Sequence, residues 1–372
     1  MKKKIHNYDF LIIGGGLIGS VTALALQQKK YKVLLLEKNP KIFDNRTLAV
    51  NSNSKKFLSS LGLWENFKNK PENIDKIIIK DYINTDSLNF ENEKAMGYVV
   101  YNKEILMRAR NLLLKTNSLI FSSDLVIEDF INKSSFSIKN KSYHFKKLIL
   151  SVGKNFESFD KIEKNLFVSN HRSYVGFFNH SKIHNNIAYE IFTKEGPLAV
   201  LPSPKSNKKL STFIFSTKMN LSNKEFNKIL LKYFKKTHGS IKLFQKISSF
   251  AINPHLSKVK NNQFILLGDM LRSIHPVAGQ GWNLGIKDIQ TLCNLLDTYS
   301  ITDINFNDIY YARRYIESTS YLAFTSILND LYGSENFFSK LIIKFGYQSL
   351  LKISGLKKIF IKQAMGEFNL VG

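Results

Sequence analysis

A glycine-rich segment between a predicted strand and a predicted helix constrains the fold of this chain most. Residues 8–13 form a short apolar run typical of a buried parallel strand, and residues 17–28 carry apolar side chains at helical spacing. Between them, Gly14, Gly16 and Gly19 match the pattern G-x-G-x-x-G. In that pattern Gly14 permits a tight turn, Gly16 lets the backbone approach a pyrophosphate, and Gly19 lets the helix pack closely. The segment therefore predicts that helix N–H groups bind the phosphates of a dinucleotide.

The next predicted strand supplies the second half of the same unit. Residues 32–37 are again mostly apolar and end at Glu37. A carboxylate at this separation from the glycines can accept hydrogen bonds from a ribose diol. The alternative is a glycine-rich turn in an ordinary α/β protein. The strand–helix–strand unit alone does not distinguish NAD from FAD.

A second segment, residues 264–285, distinguishes between NAD and FAD as the cofactor. A predicted strand ends just before Asp269, where a carboxylate can bind the polyhydroxyl ribityl chain of FAD. The loop over residues 276–281, which contains Gly279 and Gly281, leads into a predicted helix. The N-terminus of that helix would stabilise negative charge on a reduced flavin. The alternative for Asp269 is a strand-end cap, but the two segments together favour FAD.

Composition bounds the class of protein. The 372 residues are 44% hydrophobic and 13% aromatic, so the chain can bury the cores of two or three structural units. The net charge of +25 suits nucleic acid or an anionic membrane, but lysine is scattered, and neither an arginine-rich arm nor zinc-ligand spacing is present. We therefore expect no nucleic-acid partner and no metal site. The single cysteine, Cys293, excludes an internal disulfide and fits the cytoplasm.

The order of predicted elements indicates a discontinuous first domain. Short alternating strands are predicted between residues 76 and 100, residues 165–250 contain several β-rich pieces, and the chain is largely helical from residue 281 onwards. This order suggests that a β-rich domain is inserted between two parts of the first domain. We expect a FAD-binding domain from residues 1–75, 100–164 and 258–300, a β-rich substrate domain from residues 76–99 and 165–257, and a helical region over residues 301–372.

These segments resemble the group A flavoprotein monooxygenases and, within them, the ubiquinone-biosynthesis hydroxylases. The loop from His275 to Gly285 is similar to that family's own form, and Asp288 fits the same pattern. Residues 44–49 resemble the family's segment after the second strand, in which an arginine, here Arg46, lies by the flavin. Further family-like segments are residues 61–64, 96–102, 196–202, 311–314 and 364–366.

The resemblance implies a fold of the p-hydroxybenzoate hydroxylase type, with a Rossmann-like α/β FAD-binding domain, a β-rich substrate domain and a helical C-terminus. It also implies an aromatic-ring hydroxylase, in which NAD(P)H reduces FAD, O2 gives a flavin C4a-hydroperoxide, and a polyprenylated phenol is hydroxylated. The implied candidate catalytic residues are His275 and Pro276, of which His275 either transfers a proton or positions the flavin loop. The implied cofactor-binding residues are Gly14, Gly16, Gly19, Glu37, Arg46, Asp269, Gly279, Gly281 and Asn283.

Two departures from the family pattern leave other functions open. The family has an Asp-Gly pair where this chain has Val152-Gly153, and an Ala-Ala-His where it has Met270-Leu271-Arg272. These differences put NAD(P)H docking and flavin movement in question. The alternatives are a non-catalytic FAD-binding scaffold of a membrane-associated quinone-biosynthesis complex and a flavin-dependent isoprenoid reductase.

The C-terminal sequence mixes apolar and cationic residues over 337–345, 350–352 and 356–362. Helices of that kind can lie on an anionic membrane and admit a polyprenyl substrate. Packing on the protein's own core or on a partner subunit is the alternative. No stretch reaches the roughly 18 uninterrupted apolar residues of a transmembrane helix. We therefore expect a cytoplasmic protein, peripheral at the inner face of the membrane if these helices bind lipid.

Overall fold

The computed structural model describes residues 5–42, 46–84, 86–131, 133–138, 141–154, 156, 160–167, 169–204, 207–244, 247–275, 280–333 and 336–365. Over these residues the strands are β1 (Ile5–Ile13), β2 (Val33–Glu37), β3 (Thr47–Asn51), β4 (Glu72–Ile74), β5 (Lys76–Asp81), β6 (Leu88–Glu91), β7 (Gly97–Tyr101), β8 (Leu119–Phe121), β9 (Ser135–Ile138), β10 (Lys141–Leu150), β11 (Ile162–Leu166), β12 (Arg172–His180), β13 (Ile187–Thr193), β14 (Gly196–Pro202), β15 (Leu210–Thr217), β16 (Ile241–Leu243), β17 (Ser248–Ala251), β18 (His255–Val259), β19 (Ile265–Leu266) and β20 (Arg272–Ser273). The helices are α1 (Leu17–Gln28), α2 (Ser52–Ser60), α3 (Asn102–Lys115), α4 (Asn223–His238), α5 (Gln280–Leu295), α6 (Phe306–Gly333), α7 (Phe337–Lys352) and α8 (Ser354–Ala364).

A mainly parallel sheet lies at the centre of one half of the folded molecule. Its order is β19-β10-β1-β2-β8, and all four of these pairings are parallel, while β9 pairs antiparallel with β10. Ile13 at the end of β1 is in register with Leu36 of β2 and Leu150 of β10. The sheet is buried on both faces at the carboxyl ends of its strands, which explains the apolar runs along β2 and at the ends of β1 and β10. Their carboxyl ends therefore meet at one edge, where α/β proteins bind ligands.

A larger sheet forms the second half. Its order is β16-β12-β15-β14-β13-β5-β6, with β17 also paired to β12, and its pairings are antiparallel except that of β13 with β5. Helix α4 covers one face, where Phe226, Leu230 and Phe234 pack with Phe213 and Phe215. The opposite face meets the C-terminal helices. The Tyr332 ring of α6 stacks on Phe192 of β13, with centroids 4.2 Å apart and planes at 10°.

Helix α4 was not expected from the sequence, in which only strands are predicted between residues 165 and 250. It begins with a capping box, because Ser222 accepts a hydrogen bond from the Glu225 N–H while the Glu225 carboxylate accepts one from the Ser222 N–H. It ends at Gly239, whose φ is +79°. The Ser-x-x-Glu spacing was present in the sequence and could have identified this helix.

Two three-stranded sheets join the halves. Strand β7 pairs antiparallel with β3 and β4, so residues 97–101 lie beside residues 47–51 rather than in the larger sheet. The other small sheet has the order β11-β18-β20. The domain boundaries expected from the sequence stay a prediction.

The C-terminal helices begin beside the parallel sheet and end beside the larger one. Helix α5 packs on α1 and on the turn after β19, and α6 contacts both α5 and β14. Helices α7 and α8 contact β6 at the edge of the larger sheet. Within the described ranges, no helix is both long and apolar enough to cross a bilayer.

Candidate active site

The glycine turn between β1 and α1 is built for close packing on one side and open approach on the other. Gly14 has φ +102°, and a Cβ on it would lie 2.7 Å from the Ser151 carbonyl carbon. A Cβ on Gly19 would lie 1.9 Å from the Gly14 carbonyl oxygen, so both positions require glycine. A Cβ on Gly16, by contrast, would meet no described heavy atom within 4 Å. The N-terminus of α1, which carries no side-chain cap, therefore stands open beside Gly16.

Glu37 lies at the end of β2, next to this turn. Its Oε1 accepts a hydrogen bond from the Asn39 N–H at 2.8 Å, and its Oε2 lies 3.6 Å from Arg110 Nη2. The Glu37 side chain is 14% exposed, so a ligand hydroxyl can still reach it. Its role as the ribose-binding carboxylate stays a prediction.

Arg110 of α3 is a site residue that sequence reasoning missed. Its guanidinium donates two hydrogen bonds to the Gly15 carbonyl, at 2.8 and 3.0 Å, and one to Asn39 O at 3.1 Å. Burial lowers the pKa of Arg110, and the Glu37 carboxylate opposes that shift. Arg110 thereby fixes the glycine turn and Glu37 relative to each other. The available signal was an arginine on the helix face that also carries the buried Ala109 and Leu113.

Asp269 sits in a short 3-10 turn, Gly268–Met270, directly after β19. Gly268 has φ +61°, and its N–H donates to Asp288 Oδ2 at 2.9 Å, which holds the turn. Solvent reaches the Asp269 side chain, whereas Gly268 and Met270 are buried, but protein atoms crowd around its carboxylate closely enough to desolvate it in part. Desolvation by the surrounding protein raises the pKa of Asp269, against the effect of the cations Lys154, Arg272 and Arg46. Arg46, which is exposed, therefore lies within electrostatic reach of Asp269.

The two cofactor segments predicted from the sequence meet at one side chain, Ile18 of α1. A Cβ on Gly268 would lie 3.0 Å from Ile18 Cγ1, and a Cβ on Gly285 would lie 2.6 Å from Ile18 Cδ1. Glycine at both positions lets the turn after β19 and helix α5 close on the helix that begins at the glycine turn. The structure thus brings the segment with Gly14 and the segment with Asp269 to one edge of the parallel sheet.

Arg272, a departure from the family pattern, belongs to a buried ionic network. Its Nη1 lies 2.8 and 3.0 Å from the two carboxylate oxygens of Asp288, and Arg314 Nε lies 2.7 Å from Asp288 Oδ1. Arg314 also bonds to Glu317, which pairs with Lys287 at 2.7 Å. Burial alone would raise the pKa of Glu317, but Arg314 and Lys287 outweigh it and the pKa is lowered. The network ties the turn that carries Asp269 to α5 and α6.

His275 lies one residue before the predicted flavin loop and is 4% exposed. Neither of its ring nitrogens has a hydrogen-bond partner in the described part of the chain. Its ring meets that of His171 edge to face, with centroids 5.3 Å apart. Burial, with a smaller contribution from His171, lowers the pKa of His275 to about 4, so the ring is neutral near pH 7. A buried imidazole without a hydrogen-bond partner among the described residues can bond a ligand.

Of the remaining predicted residues, Asn283 and Gly281 are described by the structure and two others are not. Asn283 accepts hydrogen bonds from Asn51 N at 3.1 Å and Ser54 Oγ at 2.9 Å and donates to Ala49 O at 3.0 Å, so it fixes the start of α5 to β3 and α2. A Cβ on Gly281 would meet no described atom within 4 Å. Pro276 and Gly279 lie outside the described residues.

In the described ranges, no cluster of histidine, cysteine or carboxylate side chains has the geometry of a metal site.

Sequence comparison matches residues 9–51 to the family described as FAD dependent oxidoreductase. The chain is 24% identical to the rat "Ubiquinone biosynthesis monooxygenase COQ6, mitochondrial" (Rattus norvegicus), over 94% of this chain and 89% of the relative. It is 23% identical to "Ubiquinone hydroxylase UbiL" of Rhodospirillum rubrum, over 97% of this chain and 90% of the relative. The similarity to proteins of this kind therefore extends well beyond the glycine turn.

Solved structures support the fold. The p-nitrophenol 4-monooxygenase PnpA of Pseudomonas putida DLL-E4 matches with a TM-score of 0.76 at 13% identity, over 99% of this chain and 100% of that chain. Klebsiella pneumoniae HpxO, complexed with FAD and uric acid, matches with a TM-score of 0.68 at 15% identity, over 96% of this chain and 96% of that chain. The chain therefore shares the overall fold of these two proteins.

Proposed function

We propose that this chain hydroxylates the aromatic ring of a polyprenylated phenol. The proposal is supported by its match to the FAD dependent oxidoreductase family over residues 9–51 and by its similarity, along nearly its whole length, to ubiquinone hydroxylases. The observation that carries the proposal is the closure of Gly268 and Gly285 on Ile18. This closure places the uncapped N-terminus of α1 and the solvent-accessible carboxylate of Asp269 at the same edge of the parallel sheet. The residues present therefore fit an extended dinucleotide such as FAD.

Each part of the cofactor has a matching group in the chain. The N–H groups beside Gly14, Gly16 and Gly19 would hold the pyrophosphate, and Glu37 would hold the adenosine ribose. Asp269 would hold the ribityl chain. Arg46, whose charge acts on Asp269, and Gly281 and Asn283 at the start of α5 would bind near the flavin ring. Pro276 and Gly279 are proposed for the same role on the family resemblance alone. When bound, FAD would supply the redox chemistry, in which O2, two electrons and two protons convert an aromatic C–H into a hydroxyl and release one water molecule.

The chain's own residues orient the substrate and exclude water. His275 is neutral near pH 7 and buried, so one of its imidazole nitrogens can accept a hydrogen bond from the phenol hydroxyl. That hydrogen bond increases the electron density of the phenol's aromatic ring. The N-terminus of α5 favours negative charge beside it. Burial of His275 is expected to help keep bulk water from the reacting atoms.

We propose NAD(P)H as the reductant, on the strength of the family resemblance. Val152, which stands where the family has an acidic residue, packs against the apolar core of the parallel sheet. Its side chain offers no charge to a nicotinamide cofactor, so reduction by NAD(P)H is expected to be slow. We further propose that the protein is cytoplasmic and that the polyprenyl tail of its substrate brings it to the inner face of the membrane. There it would act as a monomer, as a homo-oligomer or within a quinone-biosynthesis complex.

Deletion of the gene tests the reaction in the cell. Mass spectrometry of quinone intermediates should show the build-up of a polyprenyl phenol that lacks one ring oxygen relative to the next intermediate. Complementation with the wild-type gene should remove it, whereas an Asp269→Ala variant should not. An unchanged set of intermediates in the deletion strain would contradict a role in quinone biosynthesis.

A further inference from the structure

Helix α7 has two apolar faces, and within the described part of the chain one of them is buried while the other is exposed. Its buried face carries Ile343 and Tyr347, which are four residues apart. The Tyr347 hydroxyl accepts a hydrogen bond from Leu88 N at 3.0 Å and lies 2.8 Å from Asp86 O. These contacts fix the helix against the edge strand β6 and leave its other side outward.

The outward face of α7 is apolar as well. Phe337, Leu341 and Phe345 follow each other at four-residue intervals, and Phe338 and Ile342 lie beside them. Phe337 is 72% exposed, Phe338 69% and Phe345 61%. Single exposed apolar residues are ordinary, but a row of five on one helix face marks an interaction surface.

The charges around this face select its partner. Between residues 336 and 365 the sequence contains six lysines and no aspartate or glutamate. The side chains of Lys340, Lys344 and Lys352 are exposed, and in the described structure none of them forms an ion pair with a carboxylate. A second copy of the chain would bring the same uncompensated lysines face to face, which disfavours a homodimer through this surface.

We propose that the outward face of α7 docks in the plane of an anionic lipid bilayer, with Phe337, Phe338, Leu341, Ile342 and Phe345 among the acyl chains and Lys340 and Lys344 at the headgroups. A helix with this division of residues binds at the membrane interface, and its lysines add attraction to anionic lipid. Access of a polyprenyl substrate through this surface rests on the proposed function, whereas the docking itself does not.

Co-sedimentation of the full chain with vesicles tests the proposal without turnover. Binding to vesicles of phosphatidylglycerol mixed with phosphatidylcholine should exceed binding to pure phosphatidylcholine and should weaken as salt rises. The double variant Phe338→Ser/Ile342→Ser should bind at least about tenfold more weakly, because it removes apolar groups from the interface. Lys340→Gln/Lys344→Gln should lose about tenfold or more on anionic vesicles only, because each lysine contributes roughly a fivefold attraction.

Two matched control variants carry the same changes elsewhere. Ile183→Ser/Ile304→Ser removes two exposed isoleucines away from α7, and Lys224→Gln/Lys235→Gln removes two exposed lysines of α4. Both should bind vesicles within about twofold of wild type, because nonspecific charge attraction changes little when two of many lysines are lost. Equal binding to neutral and anionic vesicles, wild-type binding by both α7 variants, or a dimer in solution that the α7 variants abolish would overturn the proposal. Hydroxylation of a detergent-solubilised substrate would remain intact in the α7 variants, which separates this outcome from failure of the proposed function.

Discussion

Arg272 and Asp288 form an ion pair in the interior of the protein, with Arg272 Nη1 2.8 and 3.0 Å from the two carboxylate oxygens of Asp288. Asp288 is completely buried and also accepts the N–H of Gly268 and a second guanidinium, that of Arg314. One carboxylate thus holds the turn that presents Asp269. Arg272 departs from the pattern that the family resemblance implies, yet here it belongs to the network that holds this turn.

Replacement of Asp288 by asparagine should destabilise the fold strongly. Asparagine keeps the shape but leaves Arg272 and Arg314 without a counter-charge, and breaking a buried pair in this way costs about 3–5 kcal/mol. Urea denaturation should show this loss in the free energy of unfolding. Asp297→Asn is the matched control, because its pair with Lys29 is on the surface, and it should cost less than about 1 kcal/mol. A similar small loss in both variants would show that the network does not stabilise the fold.

Two glycines of the turn should respond differently to substitution. Gly16→Val should keep the fold, because space is open around that position, but it should obstruct the pyrophosphate and weaken FAD binding by at least about tenfold. Gly19→Ala should impair both folding and FAD binding, because its Cβ would collide with the Gly14 carbonyl. Thermal unfolding of the apoprotein and flavin fluorescence titration separate the two effects. Wild-type FAD affinity in Gly16→Val would contradict the assignment of the pyrophosphate-binding site to this turn.

Removal of the Asp269 carboxylate should weaken FAD binding. Asp269→Ala loses charge-assisted hydrogen bonds worth about 1.5–3 kcal/mol, which corresponds to roughly a tenfold to hundredfold increase in Kd. The apoprotein should unfold at nearly the wild-type temperature, since Asp269 is exposed. Tight FAD binding by Asp269→Ala would mean that Asp269 is only a turn residue.

Acidification should destabilise the protein through buried histidines. Burial lowers the pKa of His184, His255 and His275 to about 4 and that of His238 to about 3. In the unfolded chain these groups titrate near 6.5, so between pH 6.5 and 4 the unfolded state binds more protons and the free energy of unfolding falls as pH falls. The loss is up to about 1.4 kcal/mol per pH unit for each histidine. Urea titrations at several pH values measure it; His238→Phe should reduce the slope, and constant stability down to about pH 4.5 would contradict the assignment.

The sequence predicted the parts of this molecule whose signals are local. The strand, glycine turn and helix around Gly16 and the strand end at Asp269 follow from apolar periodicity and turn chemistry within a few residues. The roles of Arg110 and Arg272 did not follow, because their partners at Gly15, Glu37 and Asp288 meet them only in the folded chain. Similarly, the pairing of β7 with β3 depends on tertiary packing that no short pattern encodes.

Hydroxylation is expected to need the flavin in its reduced state and O2, and to need no metal. A slow reaction with NAD(P)H is anticipated from Val152, so the enzyme should be reduced chemically before the substrate is offered. Stopped-flow absorbance should show faster reoxidation in the presence of a bound polyprenyl phenol, and metal chelation should leave the product yield unchanged. A complete loss of product after chelation would place the reaction in another mechanistic class.

Incubation of the chemically reduced FAD-loaded protein with a polyprenyl phenol and isotopically labelled O2 decides whether the chain is a monooxygenase. Mass spectrometry of the product should show one labelled oxygen atom in the aromatic ring, because one atom of O2 enters the substrate and the other leaves as water. Label that enters only from water, or a reaction that yields only hydrogen peroxide with a series of quinone precursors, would contradict it.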